Sequence, residues 1–280
     1  MIIDRGSVFQ FFKYAVYAFL TLNVYWFFAE EQLAAQLQFP LGLEAGDLIE
    51  AYAATIDTAA WVILLLMFEL ETYVLEDQHF TRKVTWTLHG VRALCYSFIV
   101  YAFYGYTVNA VFVYDMSPLG NVSDLCTLID DQWSYAVDFD EYVQITASNC
   151  SSLTSNVAFQ QFGQLPALVD APGLRNIQYL AWVDVINAAV WLIIVVILEV
   201  DVYLQERGHF DGLALTLSTW FKYGLYAILL LAAIYWGIKG DFVDFWDAFL
   251  WLVAFFFIEM NVVEWRQESL EEPGIRSEAP

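Results

Sequence analysis

Three stretches of the chain read almost as one: WVILLLMFELE at 61–71, WLIIVVILEVD at 191–201 and WLVAFFFIEMN at 251–261. Each places a Trp, seven apolar residues, a Glu, one apolar residue and then a polar one. Trp61, Trp191 and Trp251 therefore align. So do Glu69, Glu199 and Glu259, and after them Glu71, Asp201 and Asn261. One helical turn before each Trp stands Asp57, Asn187 or Asp247. A segment apolar on every side is a core helix or a membrane span, and three copies of one pattern point to an internal repeat.

The rest of the chain decides between core and membrane. Hydrophobic residues make up 60% of the 280 residues and charged ones only 16%, where a soluble domain carries about 25% charged. The apolar residues gather in runs long enough to cross a hydrocarbon layer of about 30 Å. Six such runs lie at roughly 9–29, 57–76, 91–114, 180–204, 215–238 and 243–265. The N-terminal run lacks a small-residue cleavage site and is expected to remain as a span.

The odd runs repeat as well. FKYAVYAFL at 12–20 matches FKYGLYAIL at 221–229, and VRALCYSFI at 91–99 is a weaker copy. Lys13, Arg92 and Lys222 align, each followed one turn later by Tyr17, Tyr96 or Tyr226. From Glu69 to Arg92 is 23 residues, and so is the distance from Glu199 to Lys222. The expected fold is an all-α integral membrane protein. Its six transmembrane helices form three tandem two-helix hairpins, about 8–80, 87–210 and 216–268, with pseudo-threefold symmetry. One domain would then cover 1–268, followed by a disordered polar tail at 269–280. Mitochondrial carriers also consist of three hairpins, but their Pro-x-Asp/Glu-x-x-Lys/Arg signature is absent here.

Basic residues set the orientation. Arg5, Lys13, Arg82, Lys83, Arg92, Arg207, Lys222, Arg266 and Arg276 fall on one side of the six-span layout, and only Arg175 and Lys239 on the other. Both termini are thus expected in the cytoplasm, in a bacterial inner membrane. The outer side carries Glu30, Glu31, Glu44, Asp47 and Glu50, and much of the net charge of −22. That charge solvates loops or concentrates cations at an entrance, and it argues against a nucleic-acid partner. Cys126 and Cys150 share the long outer loop at 115–179, where an oxidising compartment predicts a disulfide. Asn121-Val-Ser and Asn149-Cys-Ser in the same loop match the N-glycosylation pattern, which matters only in a eukaryotic host.

The repeated polar residues are the candidate site. A lone charge at bilayer depth costs roughly 2.5–3.5 kcal/mol, and placing acids and bases at one level offsets it. Glu69, Glu199, Glu259, Glu71 and Asp201 are therefore read with Lys13, Arg92 and Lys222 either as ion pairs or as a cation path. The three aligned tyrosines are placed to hydrogen-bond the glutamates. Beyond the spans, Glu76-x-x-His79 and Glu206-x-x-His209 are two Glu-x-x-His pairs at matching repeat positions. Carboxylate-bridged di-iron bundles use two such pairs with extra carboxylates, so iron, manganese or zinc is a candidate ligand. The third copy has Arg266 and Ser269 there, which rules out a threefold metal site. No nucleophile, phosphate-loop or haem motif is visible.

Three functions fit these features. The first is a cation-handling channel or transporter using the repeated carboxylates. The second is a membrane metalloprotein, a di-iron-like oxidase or hydroxylase. The third is a non-catalytic subunit packed among other membrane subunits or copies of itself.

Overall fold

The computed structural model describes residues 5–39, 41–71, 81–120, 122, 124–154, 158–163, 165–206 and 212–257. Within them, long helices alternate with short elements: α1 (Arg5–Gln38), α2 (Leu48–Ala51), α3 (Ala53–Glu69), α4 (Arg82–Phe112), α5 (Cys150–Leu153), α6 (Ala171–Glu206) and α7 (Gly212–Lys239). A further helix, α8, covers 242–257. Among the described residues, three helical segments are long and apolar enough to cross a membrane: Arg82–Phe112, Ala171–Asp201 and Leu215–Lys239.

The chain divides into two compact units, one holding residues 24–222 and the other 1–23 with 223–280. In the larger unit α3 packs against α4, and α4 against α6. Gly105 permits a close approach on α4. A Cβ there would lie 2.9 Å from the Ile49 carbonyl oxygen and 3.3 Å from Ala53 Cβ. Small residues at such crossings are the usual way membrane helices gain packing. Thr81 starts α4 as its N-cap, its side chain accepting from Val84 N. Trp61 and Trp191, aligned in the repeat, are both buried, with ring centroids 6.1 Å apart. Aromatic rings mark two levels on α6: Trp182 and Tyr203 are both exposed and separated by about 30 Å at 1.5 Å per residue.

The segment at 115–179, expected to be a plain loop of an all-α fold, is instead a folded cap with a sheet. Strands β1 (Met116–Pro118), β2 (Ser134–Ala136), β3 (Tyr142–Gln144), β4 (Phe159–Phe162) and β5 (Ala167–Asp170) assemble in the order β1-β4-β5-β2-β3. All pairs are antiparallel except β2–β5. Successive side chains point to opposite faces. Leu168 joins Phe159, Leu125, Ile145 and Cys150 on one face. Its neighbours Ala167 and Val169 join Phe162, Val113, Ile177 and Ala181 on the other. The second cluster seats the sheet on the ends of α4 and α6. Strands of three or four residues are too short to show a period in the sequence, which is why the sheet escaped the expectation. Cys126 and Cys150 form the expected disulfide, Cα atoms 4.9 Å apart, tying the 3₁₀ helix at Leu125–Asp131 to α5.

In the smaller unit, Asn23 Nδ2 donates to Asp247 Oδ1 at 2.7 Å. Phe257 meets the edges of Phe9 and Phe12, and Trp246 stacks on Phe242 and Phe249. Gly240, with φ of +90°, closes α7 as its amide bonds the Trp236 carbonyl.

Candidate functional site

At the helix ends remote from the sheet, the repeat residues of the larger unit gather into one polar layer. On α4, Arg92 and Tyr96 lie one turn apart and share a face. Arg92 Nη2 donates to Glu71 Oε2 at 2.7 Å, and Tyr96 Oη donates to Glu199 Oε1 at 2.9 Å. Ser218 and Lys222, likewise one turn apart on α7, both reach Asp201 Oδ2. Ser218 Oγ donates at 2.6 Å, and the ammonium lies 3.3 Å away. Residues from α4, α6, α7 and the turn after α3 thus meet at one level.

The pairing follows the repeat. The acid at the second polar position of one copy meets the base of the next copy, as Glu71 with Arg92 and Asp201 with Lys222. The glutamate at the first polar position meets the tyrosine of its own copy, as Glu199 with Tyr96. Two of the three carboxylates bonded in this layer are therefore neutralised by bases. Among the described residues, Glu199 takes its hydrogen bond from a neutral hydroxyl.

The other sequence-derived residues fall in several places. Glu69 is buried at the end of α3, and Lys13 is buried in the smaller unit with its ammonium 5.1 Å from the centre of the Tyr14 ring. Glu206 is the last residue of α6. Glu259 lies outside the described residues, as do Glu76, His79 and His209, so three of the four candidate metal ligands do too. Among the described residues no group of three or more His, Cys, Asp or Glu is arranged to hold a metal ion.

Ser218 was not anticipated. Its signal was available, because it stands one turn before Lys222 on the same helical face. A hydroxyl beside an ion pair supplies the second hydrogen bond that a partly buried carboxylate needs.

No family model matches the chain, and neither a curated protein nor a solved structure matches it.

Proposed function

We propose that the chain is a six-span membrane protein, built from three hairpins with both termini in the cytoplasm, that binds and moves cations through its inner polar layer. Glu199 is the central residue of that layer, and Glu69 and Glu259 are its repeat counterparts. In this orientation the sheet-bearing cap faces outward. The disulfide supports that side, because such bonds persist in oxidising compartments.

The observation that carries the reading is the charge balance around Glu199. Glu71 and Asp201 each have a base within 3.3 Å. Glu199, at the same level, is held by Tyr96 and is exposed along its helix. A carboxylate at this depth without a base is costly to keep in lipid. Binding a cation returns that cost, and the neighbouring pairs leave one negative charge to do it. One carboxylate supplies few oxygens, which suits monovalent cations better than divalent ones, held by several oxygens.

Flux of potassium, sodium or protons into proteoliposomes tests this. The expected result is flux with the wild type and its loss with Glu199→Gln, while thermal stability in detergent stays close to wild type. Full flux through Glu199→Gln would remove the site. The metal reading is checked by elemental analysis of chelator-free protein: stoichiometric iron, manganese or zinc that vanishes in Glu76→Ala/His79→Ala would replace cation movement as the function.

A further inference from the structure

We infer that Glu31 is a proton-operated latch that fastens the outer end of α1 to the first turn of α3. The first turn of a helix has amides with no partner inside the helix. In α3 these are filled from another helix. Glu31 Oε1 accepts from Ala54 N at 2.8 Å, and Oε2 accepts from Thr55 N at 3.0 Å and Thr55 Oγ1 at 2.6 Å. The carboxyl is only 5% exposed. Two contacts flank it: Tyr52 Oη donates to Gln32 Oε1 at 2.9 Å, and Tyr52 stacks on Phe28 with ring centroids 5.6 Å apart. Farther along α1, Gln38 Nε2 donates to the Phe139 carbonyl, tying the helix to the cap.

Among the described residues no base helps to hold Glu31 as an anion. The other titratable groups on the neighbouring stretches 25–36, 47–57 and 138–142 are Tyr25, Glu30, Asp47, Glu50, Tyr52, Asp57, Asp138, Asp140, Glu141 and Tyr142. Burial pushes its carboxyl up to about 8 from an ordinary 4.5. The bonds to Thr55 and Ala54 pull it back only in part, and Asp140 adds to the rise. A neutral carboxyl keeps the site, its carbonyl oxygen still accepting from Ala54 N.

The direction follows from linkage. The fastened form binds the proton more tightly than a solvated Glu31 does. Its stabilisation is complete below about 4.5 and is lost as the pH rises through about 8. Alkalinity on the outer side releases the latch. Because α3 runs about 25 Å from this turn to Glu69 and Glu71, release would alter the carboxylate layer at its far end. That regulatory step rests on the cation reading; the latch does not.

Hydrogen exchange on the full chain in lipid nanodiscs separates the two. After correction for intrinsic exchange, the amides at 54–55 should lose protection at least tenfold between about pH 6 and about pH 9. In Glu31→Gln that pH dependence should vanish. Thr55→Val, which removes a donor that favours the anion, should move the wild-type midpoint to higher pH and serves if Glu31→Gln does not fold. Protection that ignores pH in the wild type, or an unmoved midpoint in Thr55→Val, overturns the latch. Flux on the same samples should fall or rise with outer pH in the wild type and stay level in Glu31→Gln. A normal exchange switch with no flux at any pH would leave the latch standing and remove the cation function.

Discussion

Lys222 lies 3.3 Å from Asp201, and Arg92 lies 2.7 Å from Glu71 at the same 21-residue separation along the chain. The same sequence spacing therefore closes twice, each time between the end of one repeat and the start of the next. The two pairs differ in burial. Lys222 and Asp201 are 15% and 12% exposed, Arg92 and Glu71 34% and 22%. Removing one partner of a buried pair strands the other charge and costs roughly 3–5 kcal/mol, while the loss falls as water reaches the pair. Lys222→Ala should therefore destabilise the protein more than Arg92→Ala, by about 3 kcal/mol against about 1 kcal/mol. The double change Asp201→Leu/Lys222→Leu should recover most of the loss. Equilibrium unfolding in detergent checks the order, and a larger effect at Arg92 would contradict the burial argument.

Tyr96→Phe removes one hydrogen bond to a carboxylate and leaves the ring in place. Bonds to charged groups contribute roughly 1.5–3 kcal/mol. On the proposed cation function, freeing Glu199 from the donor it has among the described residues should change the apparent cation affinity by about tenfold, since 1.4 kcal/mol is a factor of ten. The folded state should change much less, because Glu199 is exposed on its helix. Concentration-dependent flux separates these outcomes: a shift in apparent KM with little change in melting temperature is expected.

The cap depends on its disulfide in a way the helices do not. The bond spans 24 residues. In the chain-entropy account a loop of this size gives about 3 kcal/mol. Cys126→Ser/Cys150→Ser should lower the stability of the cap by about that amount. Protease cleavage should appear first within 115–170, while the far-ultraviolet helical signal persists. Simultaneous loss of helix and cap would show instead that the cap holds the bundle together.

The helical body was legible because its signal is repeated. Three of the six expected runs, 91–114, 180–204 and 215–238, fall on the helices that are long and apolar enough to cross a membrane, and Arg92, Tyr96, Glu199, Asp201 and Lys222 of the aligned set meet in the polar layer. The partners within that level were not legible. The alignment paired Arg92 with Glu199, the glutamate of its own copy, or left a cross-pairing open, and only the rotation of α4 about its axis gives the base to Glu71 and Tyr96 to Glu199. The cap was hidden for a different reason. β5 reads ALVD, an apolar run buried on both faces, and β1 reads MSP with a proline, so neither alternates. Glu31 looked like one more outer-loop acid, and nothing local shows that it fills the first turn of α3 from another helix.

The junction of cap and α6 gives the last prediction. Asp170 caps α6: its Oδ1 accepts from Gly173 N at 2.8 Å and from Tyr135 Oη at 3.1 Å. This leaves no room for a side chain at 173. A Cβ there would sit 2.7 Å from Val169 Cγ2 and 3.0 Å from both Asp170 Oδ1 and Tyr135 Oη. Gly173→Ala must push β5 away from the helix start, so it should destabilise the cap despite the better helix propensity of alanine. Loss of a cap alone costs about 1 kcal/mol, and displacement of the buried Val169 adds to it. The phenol of this junction titrates. Burial, then the neighbouring Asp170 charge, push Tyr135 from an ordinary 10.0 up to about 12. Since the folded value is the higher one, the contribution of the protonated phenol is complete below 10.0 and is lost as the pH climbs to about 12. The alkaline midpoint for cap unfolding, followed by protease sensitivity at 115–170, should therefore lie above 10.0. Tyr135→Phe should remove that part of the pH dependence at the cost of one hydrogen bond. A profile unchanged by Tyr135→Phe would detach the phenol from the stability of the junction.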